Sequence, residues 1–163
     1  MYWRLNNISC TIDDRILLKD LSIELHLEKP LAIVGSSGAG KSIGIQCALG
    51  LFPFQKGNIT FEQQTEKLEL CETSTAKDWA SLRQQIMLVP QFPTLFDDFS
   101  VKANLLFPFR ARAKARAMAN SDLFKQVVHR LGLTPIIDSN AEALTPGQRK
   151  QVAIARAMLL QPK

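Results

Sequence analysis

Eight consecutive residues carry the strongest chemical signal in the chain. Gly35-Ser36-Ser37-Gly38-Ala39-Gly40-Lys41-Ser42 follows the spacing G-x-x-x-x-G-K-[ST]. Glycines at these positions let backbone N–H groups turn inward around phosphate oxygens without Cβ clashes. At this spacing Lys41 reaches the β- and γ-phosphates of a nucleotide and the Ser42 hydroxyl ligates Mg²⁺. The next residue is Ile43, where a second hydroxyl often helps to hold the α-phosphate, so a weakened but retained nucleotide site is expected. The bland alternative, a glycine turn that binds nothing, is disfavoured by context: an apolar run, Leu31 to Val34, precedes the loop and a helical stretch from about Ser42 to Leu51 follows it. A helix starting there adds its positive N-terminal dipole at the same point.

A phosphate loop alone serves kinases, GTPases and many ATPases, and two further segments narrow the choice. Leu88-Val89-Pro90-Gln91 puts a glutamine at the end of an apolar run, and Leu144-Thr145-Pro146-Gly147-Gln148 opens a helix with a hydroxyl at its N-cap and proline at its first position. Singly, Gln91 reads as a polar strand end and Thr145 to Gln148 as a plain capped helix. Their order after the phosphate loop gives them weight.

The elements that must position these residues read as follows. The first thirty residues alternate apolar and polar with turn signals at Asn6-Asn7 and Asp13-Asp14, predicting two or three antiparallel strands whose buried face includes Leu17, Leu21, Ile23, Leu25 and Leu27. Leu31–Val34 and Ile86–Val89 are expected as buried strands, Asn58 to Phe61 as a strand, and the stretch up to Thr75 as exposed chain. Helical spacing over 104–116 and 122–131 marks a mostly helical lobe, and a last helix is expected from about Gln148 to Leu160. The 163 residues, 46% apolar and 21% charged, suffice for one compact domain and exclude a disordered tail. Net charge is +5, and the three cysteines, Cys10, Cys47 and Cys71, show neither disulfide nor zinc spacing, which favours a reducing compartment. No stretch approaches the roughly 20 apolar residues of a spanning helix.

Taken with the phosphate loop, Gln91 and Leu144 to Gln148 make the chain resemble the ATP-binding subunit of an ABC transporter. The resemblance runs along the whole chain in the family's motif order. It implies an α/β P-loop NTPase fold of ABC type: a mostly parallel sheet core with an N-terminal antiparallel β-subdomain and an inserted helical subdomain. Residues 1–163 are then one ATP-binding domain, with the β-subdomain at about 1–30, the P-loop core at about 31–91 and 144–163, and the helical part at about 92–143. The cofactors implied are ATP and Mg²⁺, held by residues 35–43 with Ser42 and Gln91 at the metal. Gln91 matches the glutamine that touches Mg²⁺ or the attacking water, so Lys41 and Gln91 are the implied catalytic residues. Thr145, Gly147 and Gln148 match the signature loop that caps ATP held on a second subunit. Implied partners are a transmembrane subunit and a second ATP-binding subunit, identical or different, joined across ATP. The implied location is the cytoplasmic, inner face of the cell membrane. The phrases Pro93 to Phe96 and Asn104 to Pro108 resemble small bacterial ATPase subunits of metal or iron export.

Three departures from the family pattern stand out. Ile12 falls where the family stacks an aromatic ring on adenine, with Tyr2 or Trp3 as candidate substitutes. The signature reads Leu-Thr-Pro-Gly-Gln, so Pro146 removes one N–H that could face phosphate. The strand-ending Asp-Glu pair that follows the signature helix in the family, and a later histidine, are not found in these residues. The chain therefore resembles the first two-thirds or so of such a subunit, and nucleotide binding without hydrolysis at a normal rate is expected. The rivals are a non-catalytic truncated subunit that modulates a full-length partner, a nucleic-acid-linked ABC-type ATPase, and a small P-loop kinase. The second lacks its heptads and clustered cysteines, so no nucleic acid partner is expected; the third leaves Leu144 to Gln148 unexplained. The basic run Arg110, Arg112, Lys114 and Arg116 reads as a solvated helix face or an anion-attracting one. Phe92, Leu95, Phe96, Leu106, Phe107 and Phe109 read as core or, by the resemblance, as a groove for the transmembrane subunit.

Overall fold

The computed structural model describes residues 2–26, 29–63, 66–110 and 114–162. The chain divides into two compact units, Met1–Gln85 and Ile86–Lys163.

In the first unit, strands β1 (Tyr2–Ile12) and β2 (Arg15–His26) form a hairpin. Asp13 and Asp14 at its tip both take positive φ, 46° and 61°, the turn geometry whose twist matches paired strands and which aspartate tolerates. Strand β3 (Lys56–Gln63) pairs with the other side of β1, and β4 (Glu66–Leu70) pairs with β3. The sheet order is β2-β1-β3-β4, antiparallel throughout. The antiparallel sheet thus extends well past residue 30, and β4 lies in the stretch expected to be plain exposed chain.

The expected buried face of β2 needs one correction. Leu18 is buried and Leu17 only half-buried, whereas Leu21, Ile23 and Leu25 keep the inward phase; Leu27 lies outside the described residues. The phase changes because Asp20 adopts φ 49° and the pairing with β1 slips between Ile8 and Cys10. The Ser9 hydroxyl accepts from Asp20 N–H at 2.9 Å, which closes the bulge. An irregularity of one residue is enough to exchange the faces of a strand.

Helix α1 (Lys41–Ala48) buries Gly44, Cys47 and Ala48. The thiols of Cys47 and of Cys10 on β1 lie 3.9 and 3.2 Å from the Pro53 carbonyl, and burial, with Cys10 beside it, pushes the Cys47 thiol up to about 12. Helix α2 (Ala76–Gln85) is capped by Thr75 and Asp78, each side chain bonding the other's backbone N–H. Its Trp79 ring leaves no room for a side chain at Gly50, where a Cβ would fall 2.2 Å from a ring atom.

The second unit is helical: α3 (Val101–Arg110), α4 (Ala115–Asn120), α5 (Asp122–Arg130) and α6 (Pro146–Leu159), with short 3-10 turns at Thr134–Ile136 and Ala141–Ala143. Its core joins Val101 and Leu105 of α3, Phe124 and Val127 of α5, and Val152, Ala155 and Leu159 of α6. The helical lobe and the final helix are therefore one packed body.

Leu31–Val34 and Ile86–Val89 do not form the expected parallel strands. Neither is assigned to a strand, and Val34 is 87% exposed. A strand exists only as half of a hydrogen-bonded ladder, and among the described residues no segment pairs with either run.

Candidate functional site

The phosphate loop begins where the Leu31–Val34 run ends and closes on the first turn of α1. Gly38 and Gly40 take φ of 80° and 82°, a region that only glycine enters without strain. Gly40 is the N-cap of α1 and makes no side-chain cap hydrogen bond. Its own carbonyl accepts the Gly44 N–H at 2.8 Å, so the helix starts at once. The N–H groups of its first turn thus have no capping side chain, and the dipole of a helix start in that condition favours negative charge. Gly35 to Ala39 and Ser42 are exposed, Gly40 is buried, and Lys41 and Ile43 are half-buried.

Lys41 Nζ donates to the Gly35 carbonyl at 2.8 Å and the Ser36 carbonyl at 2.6 Å. The cation spans the mouth of the loop and is satisfied by carbonyls that an anion would replace with stronger, charge-assisted partners. The loop is fixed from below by the hairpin. A Cβ on Gly40 would meet the Leu17 carbonyl oxygen at 2.9 Å and Leu18 Cδ2 at 2.8 Å, and one on Gly44 would meet Leu21 Cδ2 at 3.0 Å. Beside this contact lies an apolar cavity of about 240 Å³, lined by Leu21, Ile23, Leu25, Ile33 and Ile45 with Lys41 at its edge.

Ile12 ends β1, opposite Arg15, and is 39% exposed. Tyr2 and Trp3 begin the same strand. Ten residues of strand put roughly 30 Å between Tyr2 and Ile12, so neither ring can stand in for Ile12. Trp3 instead lines the apolar cavity.

In the second unit the structure organises Gln91 and the 145–148 loop around α6. Thr145 is the N-cap: its Oγ1 accepts from Gln148 N–H at 3.3 Å, and Gln148 Oε1 accepts from Thr145 N–H at 2.9 Å. This reciprocal capping box satisfies two donors with the helix's own side chains. Pro146 has no N–H to satisfy. The Gly147 N–H is left without a partner among the described residues, and Thr145, Pro146 and Gly147 are all exposed.

Gln91 is exposed, and its side chain enters no hydrogen bond among the described residues. The chain on either side of it is fastened to α6. Lys150 donates to the Pro90 carbonyl at 2.8 Å, Arg156 to the Thr94 carbonyl at 2.9 Å, and Arg149 to Asp97 Oδ1 at 2.7 Å and the Ala141 carbonyl at 2.8 Å. Fully buried Asn104 completes the frame: its Oδ1 accepts from Phe96 N–H at 2.8 Å and its Nδ2 donates to the carbonyls of Phe96, Phe99 and Ser100. Partial burial lowers the pKa of Arg156. None of these four stood out in the sequence. Asn104 offered the one usable sign, an amide inside an apolar helical repeat, a position that demands partners when buried.

Phe96 and Phe107 pack with ring centroids 4.3 Å apart, and Phe99 lies 5.1 Å from Phe96. Leu95, Leu106 and Phe109 pack against the core, while Phe92 is 79% exposed. The cluster is part core and part open surface.

Comparison with known proteins places this geometry. The family described as "ABC transporter" matches residues 18–163. The chain is 32% identical over 152 residues to ABC transporter ATM1 of Toxoplasma gondii, covering 91% of this chain and 13% of that protein. It is 28% identical to the methionine import ATP-binding protein MetN of Clostridioides difficile, covering 90% of this chain and 44% of that one. The chain thus spans less than half the length of either relative. The fold matches cbiO1 of Clostridium perfringens, part of the ABC transporter complex cbiONQ, with a TM-score of 0.79 at 24% identity, over 99% of this chain and 62% of that one. The fold is that of P-loop NTPases of the ABC type, and the chain belongs to the ABC transporter family.

Proposed function

We propose that this chain is the nucleotide-binding part of an ABC transport ATPase, holding MgATP at residues 35–43. The observation that carries the reading is the uncapped start of α1 with Lys41 folded across the loop onto the Gly35 and Ser36 carbonyls. The donor set fits a nucleotide with its metal: backbone N–H groups and one ammonium for the phosphates, and the exposed Ser42 hydroxyl for Mg²⁺. Bound there, Mg²⁺ would offset phosphate charge and fix the orientation of the phosphates. Gln91 is the second proposed metal-side residue. Ile12 is the residue assigned to the base side, where an aliphatic contact replaces ring stacking and selectivity for the base relaxes. The exposed turn Thr145 to Gln148 faces the nucleotide of a second subunit in this reading, with the Gly147 N–H as its open donor. The aromatic surface at Phe92 and Phe96 supports docking of a transmembrane subunit, and the complex sits on the cytoplasmic face of a membrane.

No acidic pair ends an apolar strand among the described residues, so these 163 residues are expected to bind MgATP and to turn it over far below about 1 s⁻¹. Calorimetric titration of the chain with MgATP tests the reading, with Lys41→Ala beside it. Removing an ammonium that makes charge-assisted bonds to phosphate weakens binding about 100-fold. Equal affinity of the two proteins, or no binding of any nucleotide by the parent chain, would exclude the site.

A further inference from the structure

Charge divides unevenly between the two units. Residues 86–163 carry eleven Lys and Arg against five Asp and Glu, net +6, whereas residues 1–85 carry nine against ten, net −1. Several of the eleven are used inside the unit: Arg149, Lys150 and Arg156 hold the chain around Gln91, and Lys125 faces Asp122 at 3.4 Å. Of the cations that remain among the described residues, Lys102, Arg110, Lys114 and Arg116 fall on α3 and the start of α4, and only Arg130 lies elsewhere. All four are exposed and none has an acidic partner among the described residues. From Phe99 to Ser121 there is no carboxylate at all. Arg112, in the same run, lies outside the described residues.

Their arrangement follows from what α3 buries. Val101, Asn104 and Leu105 face the core, and at 100° per residue Arg110 falls opposite them, with Lys102 on one flank and Phe107 on the other. Phe107 is 41% exposed, and the Arg110 guanidinium stands 5.1 Å from the Phe99 ring centroid. Cations and a ring share one outer face, without the interspersed acids that an ordinary solvated helix carries. Such a face suits a plane of many equivalent phosphates with an apolar layer just beneath.

We propose that the outer face of α3, together with the exposed cations at the start of α4, docks on an anionic phospholipid surface. Lys102, Arg110, Lys114 and Arg116 meet headgroup phosphates, and Phe107 enters the boundary between headgroups and acyl chains. The contact involves neither the phosphate loop nor a second subunit.

Co-sedimentation of the full chain with vesicles tests this, using phosphatidylcholine alone and phosphatidylcholine mixed equally with phosphatidylglycerol. Binding to the mixed vesicles is expected, falling as salt is raised, with little on the neutral ones. A basic residue near such a surface contributes about five-fold in partitioning. The pair Arg110→Gln with Arg116→Gln should therefore lose about 25-fold, and Lys102→Gln with Lys114→Gln about as much, which guards against one pair failing to fold. Arg130→Gln should stay within about two-fold of the parent chain. Lys41→Ala should bind vesicles normally, which keeps this result separate from the fate of the nucleotide reading. Equal binding to neutral vesicles, equal losses from Arg130→Gln, or complete displacement from the mixed vesicles by duplex DNA at matched phosphate would overturn the proposal, the last by favouring a nucleic acid partner.

Discussion

The molecule contains two helix starts that the proposed function turns toward nucleotide phosphate, and they are finished in opposite ways. At α1 the N-cap is glycine, no side chain caps the helix, and the nearest cation bonds to loop carbonyls. At α6 the N-cap is threonine, and Thr145 and Gln148 satisfy each other's backbone. The first start leaves its N–H groups without a side-chain partner, whereas the second caps itself and has one N–H to spare. In the proposed reading the α1 loop encloses a ligand, and its conformation rests on glycines and a tight floor of hairpin residues. The α6 turn is built to keep its shape while exposed, and capping supplies that shape locally.

The sharpest way to break this comparison is at the floor of the first site. Gly40→Ala places a methyl group 2.9 Å from the Leu17 carbonyl oxygen, at a φ of 82°. The Leu18 methyl can rotate away, but the Leu17 backbone belongs to β2 and cannot. Strain at such an angle combined with the clash should destabilise the first unit by about 3 kcal/mol. Both tryptophans, Trp3 and Trp79, lie in this unit, so urea unfolding followed by tryptophan fluorescence reads the loss directly. An unchanged midpoint would mean that the loop is not anchored on the hairpin, and the enclosed-site description would fail with it.

The second site should respond less, and through its cap. Thr145→Ala removes the acceptor for the Gln148 N–H, at a cost of about 1 kcal/mol, the usual loss for a threonine N-cap. Amide exchange at Gln148 and Arg149 should quicken about five-fold, while Thr145→Ser should restore the parent rate. MgATP binding to the chain alone should not change, because in this reading the α6 turn serves the nucleotide of another subunit. A fall in affinity in the monomer would show that the two helix starts act on one nucleotide within one chain.

Much of this difference could be read from residue types. The glycines at 35, 38 and 40 with Lys41, and Thr145 with Pro146 and Gln148, specify loop and cap through rules that reach only three or four residues along the chain, and both formed as expected. The failures lie where the deciding partner is remote. Leu31–Val34 has the composition of a buried strand, but a strand is defined by its neighbour and none of the described residues supplies one. Strand β4 is hard to read because the alternation from Lys67 to Leu70 is only four residues long and sits in a Glu-, Gln- and Thr-rich stretch, and its ladder forms only beside β3. The phase change at Asp20 depends on a left-handed residue that aspartate permits but does not announce. Lys150, Arg156 and Asn104 look like ordinary helix residues, and their hold on the chain around Gln91 appears only once α3 and α6 are packed together.

The finest test sets one substitution against itself. Gly147→Ala, like Gly40→Ala, adds a single methyl group at the start of a helix. At Gly147 no atom stands within 4 Å of the added carbon, and the backbone angle is one that any residue adopts. Alanine there restricts the unfolded chain and strains nothing in the folded one, so the second unit should gain about 0.5 kcal/mol. Far-ultraviolet circular dichroism during urea unfolding, where the helices dominate the signal, should show a small upward shift of the midpoint. The sign carries the information. Gly40 is glycine because the fold of this chain requires it, and nothing in the fold of this chain requires glycine at 147. If alanine at 147 stabilises the chain while alanine at 40 destabilises it, the reason for glycine at 147 must be sought in what approaches that turn from outside. If both substitutions destabilise, the α6 turn is strained by the chain itself, and the contrast between an enclosing site and a self-capped one is lost.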